Sequence, residues 1–199
     1  MMFSKMFFSE VVLIAKNINT DVIESIVQDL VQIRENNGRM FILGVGGSAG
    51  NASHMVNDFR KLCDLETYCP TDNVSEVTAR TNDEGFDTVF EGYLRVSRFS
   101  EKDCIFILSV GGGNEEKNVS VGLIKAIKFV KEKKGKVFGI VGRSDGYTAL
   151  NSDRVVVVPP MLDSNSEPVR ATPHSEAFQA VVWHCIVSHP LFQINKTKW

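Results

Sequence analysis

The sequence predicts an α/β fold in which a central, mainly parallel sheet is flanked by helices on both faces as a three-layer sandwich. Short, nearly continuous apolar runs, such as residues 103–109 and 136–141, alternate along the chain with segments of helical periodicity. Strands that are apolar along their whole length are typical of parallel sheets buried on both faces. Right-handed crossovers then bring the carboxyl ends of these strands to one edge of the sheet.

The chain has 199 residues, of which 43% are hydrophobic, so it can build a substantial core. No linker-like composition precedes the loop at 160–172, and we expect a single domain over residues 1–199, with two N-terminal helices (1–36), an α/β core (37–190) and a tail (191–199) whose last four residues fray. Helical periodicity predicts helices at 4–17, 20–36, 49–62, 75–82, 86–99, 118–134 and 174–189. Strands are expected at 39–45, 68–69, 103–109, 136–141 and 154–158.

Charge and composition exclude several classes of protein. The net charge of −2 supplies no basic field for nucleic acid or an anionic membrane, and no apolar run approaches the roughly 20 residues of a membrane helix. Lys5 and Glu10 interrupt the apolar N-terminus, which argues against a signal peptide. The four cysteines lack metal-ligand spacing, so we expect reduced thiols in a cytoplasmic protein, with Cys104 and Cys185 buried.

Two glycine-rich loops follow predicted strands. Residues 44–50 open directly into a helix, where free backbone N–H groups can face an anion, and residues 109–114 end another strand. The first loop fits a dinucleotide fingerprint, but the acidic residue this needs could only be Asp64 or Glu66, which precede the short strand at Tyr68. A phosphorylated small molecule that both loops hold would explain why both are rich in glycine. The alternative for the loop at 44–50 is a tight turn that only serves packing.

Four side chains have the chemistry of a metal or acid–base site. His54 and Asp58 are four residues apart and therefore share a helix face, and Glu176 and His184 are two turns apart on the last predicted helix. Mixed nitrogen and oxygen ligands of this kind suit zinc. The competing interpretation is that the histidines are structural and that the His54–Asp58 pair is a surface contact.

In their order and spacing these motifs resemble a sugar isomerase (SIS) domain, and in particular the phosphoheptose isomerase subfamily. The resemblance covers nearly the whole chain and includes the Asn82–Phe86 segment. It implies a flavodoxin-like fold and a cytoplasmic homo-oligomer, a tetramer with sites between subunits and zinc near the reacting carbons. The implied reaction converts sedoheptulose 7-phosphate into D-glycero-D-manno-heptose 7-phosphate, an aldose–ketose isomerisation in the biosynthesis of surface polysaccharides.

The resemblance also assigns roles to individual residues. Those implied to bind metal are His54, Asp58, Glu176 and His184, and those implied in catalysis are Asp58, His184 and Glu176. The residues implied to bind substrate, its phosphate included, are Val45, Gly46, Gly47, Ser48, Asn82, Asp83, Ser109, Val110, Gly111, Gly112, Gly113, Asn114 and Glu176.

The chain departs from the subfamily pattern at several of these positions. Asp58 stands where the family has Glu, so its carboxylate lies roughly 1.5 Å further back, and Glu176 stands where the family has Gln. Either carboxylate could move the proton. The hydroxyl-rich phosphate loop has become glycine-rich and is extended by about six residues. All four positions that the resemblance implies bind metal still hold residues that can bind one. These changes therefore predict a divergent subfamily with its own substrate.

One different class of function fits the same fold. Some SIS modules are not catalytic and bind a sugar phosphate or a protein partner. Retention of His54, Asp58, Glu176 and His184 favours the enzyme, because a module that only binds has no need of an acid–base set. The loop at 160–172 is interpreted as either a lid or a connector.

Overall fold

A five-stranded parallel sheet forms the centre of the computed structural model, which describes residues 2–197. The strands are β1 (Met40–Gly44), β2 (Thr67–Tyr68), β3 (Cys104–Ser109), β4 (Lys136–Val141) and β5 (Arg154–Val157). Their order across the sheet, β2-β1-β3-β4-β5, is that of flavodoxin-like folds. All four neighbouring pairs are parallel, which confirms the predicted sheet.

Helices cover both faces of the sheet. They are α1 (Phe3–Asn17), α2 (Thr20–Glu35), α3 (Gly47–Cys63), α4 (Val74–Glu84), α5 (Val89–Val96), α6 (Val121–Glu132), α7 (Tyr147–Asn151) and α8 (Ala171–Val187), with 3₁₀ turns at Pro70–Asp72 and Phe86–Thr88. Phe106 of β3 packs in a core with α1, α2, α3 and α8, whereas its neighbour Ile107 packs with α5 and α6. This alternation produces the three layers that the sequence predicts. The division into domains stays a prediction.

Several boundaries differ from the sequence-based expectations. Helix α6 begins at Val121 rather than 118, because Asn114 and Val119 pair as an antiparallel bridge and Ser120 adopts a left-handed φ of 50°. The predicted helix at 86–99 is a 3₁₀ turn followed by α5, and α8 begins three residues early. The short elements α7, β6 (Met161–Leu162) and β7 (Pro168–Val169) were not predicted; β6 and β7 pair as a hairpin inside the 160–172 loop.

One expectation about burial is wrong, and part of the C-terminal tail packs against the core. Cys104 is buried as expected, but Cys185 is exposed because it lies on the outer face of α8. The expected tail packs onto the core as far as Asn195: the Phe192 side chain is fully buried, and the N–H groups of Ile194 and Asn195 donate to Leu62 O. The fraying expected at 196–199 falls partly outside the described residues. In the described part of the chain, no helix has the length and apolarity needed to cross a bilayer.

Helix α1 is fastened to the start of α8 by an ionic cluster. Glu10 accepts hydrogen bonds from Arg170 and lies 2.8 Å from Nε2 of His174, which is almost fully buried. The hydrogen bond from Arg170 lowers the pKa of Glu10 to about 2 against the opposing effect of burial, so the carboxylate is ionised at neutral pH. Phe7 stacks on the His174 ring at a centroid distance of 4.6 Å.

A buried carboxylate fixes the amino ends of β1 and β3. Asp103 is 2% exposed, and it accepts hydrogen bonds from the backbone and guanidinium of Arg39 and from the backbone N–H and hydroxyl of Ser100. Burial acts to raise the pKa of Asp103, but the hydrogen bonds from Arg39 and Ser100 outweigh it and the pKa lies below its usual value. The ionised carboxylate therefore aligns the strands whose opposite ends support the glycine-rich loops.

We expect Asp103→Ala to lower the free energy of unfolding by about 3 kcal/mol, since it leaves buried donors and a guanidinium without their partner. Urea denaturation followed by circular dichroism measures the change. The matched control is Glu91→Ala, which removes an exposed ion pair with Arg95 on α5 and should cost less than about 0.5 kcal/mol. Equal losses in the two variants would contradict this role for Asp103.

Candidate active site

The two glycine-rich loops lie side by side at the carboxyl edge of the sheet. The loop after β1 leads into α3 on one face of the sheet, and the chain after β3 leads into α6 on the other face. Adjacent strands whose connections leave in opposite directions open a crevice between them, and ligands of doubly wound sheets bind in such crevices. The topology therefore places both predicted loops at one candidate site.

Three of the four predicted metal ligands come together between α3 and α8. Oδ2 of Asp58 lies 3.9 Å from Nε2 of His54 and 3.7 Å from Nε2 of His184. All three ligand atoms lie within 4.8 Å of one another. The two distances from Asp58 are too long for hydrogen bonds and slightly longer than the roughly 3.4 Å between two ligands of one tetrahedral ion, so small side-chain rotations would bring them to ligand spacing. The group has the donor set and the spacing to hold a divalent metal ion.

Contacts outside this group orient its histidines. Nδ1 of His184 lies 2.7 Å from the carbonyl of Ala180, and because a carbonyl only accepts, Nδ1 carries the proton and Nε2 keeps its lone pair for a metal. The buried Trp183 ring stacks on His184 at a centroid distance of 3.5 Å and meets the His54 ring edge-on at 4.8 Å. The two imidazoles remain about half exposed, with 59% and 49% of their side chains accessible.

The fourth predicted ligand, Glu176, lies elsewhere. Its carboxylate lies against Gly47, where an added Cβ would be 2.5 Å from Oε1. His184 is eight residues further along α8, about 12 Å along the helix axis, and the group described above does not include Glu176. The position of Glu176 instead brings a carboxylate to the N-terminus of α3, where the helix dipole favours negative charge. Coordination of a metal by Glu176 stays a prediction.

This contact also changes the interpretation of the first glycine loop. The sequence suggested that the N–H groups at the start of α3 face a ligand anion, but in the structure a carboxylate of the chain itself lies there. Gly46 has a φ of 63°, which only glycine adopts without strain, and it turns the chain from β1 into α3. Val45 is 40% exposed at the mouth of the loop.

The second loop has a defined polarity. The carbonyls of Val110 and Gly112 accept hydrogen bonds from the N–H groups of Gly142 and Thr148 respectively. In a trans peptide the following N–H points the opposite way, so the N–H groups of Gly111 and Gly113 are directed away from β4 and α7. Neither of these N–H groups has a partner among the described residues. Oγ of Ser109 accepts from the N–H of Gly112 at 3.0 Å, which leaves the hydroxyl hydrogen as the part of this side chain that could donate to an anion.

The extension of the second loop forms one wall of a cavity of about 500 Å³. The main-chain groups of Asn114 and Val119 exchange hydrogen bonds of 2.9 and 3.0 Å, which fold the extension into a small hairpin. Ser120, at the start of α6, lines the cavity together with Val45 from the first loop and Phe90 from α5. The cavity thus lies between the first loop and the N-terminus of α6.

Asn82 and Asp83, which the resemblance implies bind substrate, lie outside this cavity. They are exposed on the last turn of α4, where Nδ2 of Asn82 donates to Oδ1 of Asp83 at 2.7 Å. Phe86 and Asp87, a few residues later, do line the cavity, and Asp87 forms an ion pair with Lys125 of α6. Substrate binding by Asn82 and Asp83 stays a prediction.

Sequence reasoning missed three polar or aromatic residues of the site. Asn51 and Gln179 link α3 to α8 beside Glu176. The Trp183 ring contacts both His54 and His184. A fully buried glutamine within an apolar helix was the available signal for Gln179. The other two have no signature in sequence, because their roles depend on how the two helices pack.

Comparison with known proteins identifies relatives with the same organisation. No family model matches the chain. The lincomycin biosynthesis protein LmbN of Streptomyces lincolnensis is 32% identical over 160 residues, which are 76% of this chain and 56% of that protein, so the chain spans little more than half of LmbN. The phosphoheptose isomerase of Helicobacter pylori (strain Shi470) is 30% identical over 135 residues, 65% of this chain and 67% of the relative.

Among solved structures, the phosphoheptose isomerase GmhA from Neisseria gonorrhoeae superposes with a TM-score of 0.78. The alignment covers 93% of this chain and 96% of that one at 23% sequence identity, which supports a common fold. Fold and sequence relatives therefore agree with the resemblance seen in the motifs. The chain belongs to the phosphoheptose isomerase family of SIS-domain proteins.

Proposed function

We propose that this protein interconverts a ketose phosphate and an aldose phosphate, with sedoheptulose 7-phosphate and D-glycero-D-manno-heptose 7-phosphate as the pair. The observation that carries the proposal is the His54–Asp58–His184 group, whose ligand atoms lie within 4.8 Å of one another between α3 and α8. An SIS module that only binds sugars needs no such group. The product fits the biosynthesis of heptose for bacterial surface polysaccharides.

The donor set supports zinc as the metal. Two imidazole nitrogens and one carboxylate oxygen leave a fourth position open, which is the pattern of catalytic zinc sites. A bound divalent ion would polarise the carbonyl and hydroxyl oxygens of the substrate and stabilise the negative charge that develops on them. His54, Asp58 and His184 would hold it, and Glu176 is a fourth candidate.

The reaction needs a base that takes a proton from C1 of the ketose and returns it to C2 through an enediol. Asp58 is the better candidate, because its carboxylate belongs to the group that would hold the ion beside the reacting oxygens, with Oδ2 3.7 Å from Nε2 of His184. Asn57 donates to the other oxygen, Oδ1, and so fixes the carboxylate. Glu176 lies about 12 Å along α8 from His184 and is better placed to contact substrate hydroxyls at the first loop.

The second loop is the better candidate for the phosphate. The N–H groups of Gly111 and Gly113 have no partner among the described residues, whereas the negative charge of Glu176 lies against Gly47 at the start of α3 and repels a phosphate there. Backbone N–H groups can bind an anion without hydroxyl side chains. This compensates for the replacement of the hydroxyl-rich loop of the family by glycines.

The exposed apolar side chains of α1 support a homo-oligomer. Phe3, Phe8 and Val12 are 65%, 67% and 52% exposed, an arrangement typical of a surface that packs against another protein. The family resemblance makes a tetramer the expected assembly and the cytoplasm the expected compartment. A neighbouring copy would also shield the half-exposed histidines from water.

We expect His184→Ala to abolish isomerisation and to lower zinc content, because it removes one of the three side chains that would hold the metal. His189→Ala is the matched control: His189 follows α8 and pairs with Glu24 away from the site, so activity and metal content should be retained. NMR of aldose formation from sedoheptulose 7-phosphate and elemental analysis measure the two effects. Chelation should stop turnover by the wild type.

Near-full activity of His184→Ala would rule out the assignment of His184. A wild type that does not turn the sugar over, but whose melting temperature rises when the sugar phosphate is added, would favour the binding-only SIS module.

The two candidate bases are separated by isosteric substitutions. We expect Asp58→Asn to lower kcat at least a thousandfold, and Glu176→Gln, which introduces the amide that the family has there, to change kcat less than tenfold. Exchange of the transferred proton with solvent, followed in D₂O by NMR, should disappear in Asp58→Asn only. A larger loss of kcat in Glu176→Gln than in Asp58→Asn would assign proton transfer to Glu176.

We expect the double substitution Phe8→Ser and Val12→Ser to shift the assembly to smaller species, because it removes exposed apolar area from α1. Val74→Ser is the control, since Val74 is 68% exposed but lies alone at the start of α4. Light scattering coupled to size-exclusion chromatography measures the mass. A wild type that is monomeric at micromolar concentration would contradict the proposed assembly.

A further inference from the structure

A fully buried amide side chain lies between α3 and α8. Gln179 is 0% exposed within an otherwise apolar stretch of α8, and a buried amide is costly unless it is hydrogen-bonded. Its Oε1 lies 2.9 Å from Nδ2 of Asn51, and its Nε2 lies 3.0 Å from Oγ of Ser48. Asn51 and Ser48 both belong to the first turns of α3.

One atom determines the directions of the hydrogen bonds that link Asn51, Gln179 and Ser48. Nδ2 of Asn51 donates to the backbone carbonyl of Glu176 at 2.9 Å, and a carbonyl oxygen can only accept. The same NH₂ group therefore faces Gln179 as a donor, so the atom of Gln179 opposite it is Oε1. Nε2 of Gln179 is consequently the atom that donates to Ser48.

The consequence falls on the Ser48 hydroxyl. Its oxygen accepts from Gln179, and no described residue accepts its single O–H hydrogen. Ser48 is the second residue of α3, beside Gly47 and the Glu176 carboxylate. Ser48 is 2% exposed, so its hydroxyl hydrogen is a buried donor without an acceptor among the described residues, and only a ligand oxygen held against the first loop could accept it.

We propose that Gln179 is a positioning residue that makes Ser48 a hydrogen-bond donor to the sugar, while the Asn51 link fixes Glu176 over Gly47. Gln179 does not touch the substrate and acts through Ser48. The inference rests on the proposed function, because it takes the sugar phosphate as the ligand. The acceptor is a hydroxyl or carbonyl oxygen of the sugar rather than its phosphate, since the Glu176 carboxylate disfavours a second anion here.

Substitutions of similar size at position 179 separate polarity from packing. In Gln179→Glu a carboxylate can accept from both Asn51 and Ser48, which turns the Ser48 hydrogen away from the ligand. In Gln179→Met the donor to Ser48 is lost, so the hydroxyl can still donate but is no longer held in one orientation. Both variants should lower the melting temperature, but a purely structural role predicts no difference between them in ligand binding.

We expect Gln179→Glu to weaken binding of sedoheptulose 7-phosphate about tenfold by calorimetry and to raise KM more than it lowers kcat. Gln179→Met should weaken binding by a smaller factor, about threefold, because the hydroxyl loses the contact that orients it but not its ability to donate. In a Ser48→Ala background, which is itself weakened, Gln179→Glu should cause no further loss. Wild-type affinity in Gln179→Glu, or an undiminished loss in the Ser48→Ala background, would overturn the proposal.

A separate readout distinguishes failure of this inference from failure of the proposed function. If the wild type binds the sugar without turnover, the isomerase proposal fails and the binding comparison still decides the role of Gln179. If it binds no sugar, both the ligand assignment and this inference are overturned. In ¹⁵N spectra of the free protein, the Gln179 NH₂ pair should exchange slowly and shift in Ser48→Ala; a rapidly exchanging pair would contradict the hydrogen-bond direction.

Discussion

The packing of α3 against α8 sets the geometry of the candidate site. From one end of the contact to the other, Ser48 and Asn51 meet Gln179, His54 meets Trp183, and Asp58 approaches His184. The α3 positions recur every three or four residues and so form one stripe along the helix. A change in the angle or register of these two helices would separate the ligand atoms of His54, Asp58 and His184. The same change would move the Glu176 carboxylate away from Gly47.

That stripe explains how much of the site can be predicted from sequence. His54 and Asp58 share a face because of local helical geometry, and the apolar strands that place both loops at one edge are equally local signals. The contact between the Glu176 carboxylate and Gly47 could not be predicted, because it depends on how α3 packs against α8. Asn51 and Glu176, which join these helices, are 125 residues apart in the chain. The same holds for Asn51 and Trp183, whose neighbours are set by packing.

The remaining differences from the expected fold have a similar cause. The hairpin at 114–119 depends on two backbone hydrogen bonds that override the helical pattern of the sequence, and Asn118 and Ser120 adopt left-handed conformations that propensity disfavours. Phe192 is buried against Phe59 and beneath the guanidinium of Arg34, which no short-range pattern indicates. Tertiary contacts determine these segments after the sheet and the main helices are in place.

The Glu176 carboxylate, which lies against Gly47, competes with free anions for the first glycine-rich loop. Where the family has a neutral amide, this chain tethers a carboxylate at the start of α3, and a tethered group acts at a high effective concentration. A free anion that enters the first loop must displace it, whereas a neutral polyol can bind beside it. Under the proposed function, this charge favours the uncharged end of the sugar phosphate at the first loop and leaves its phosphate to the second.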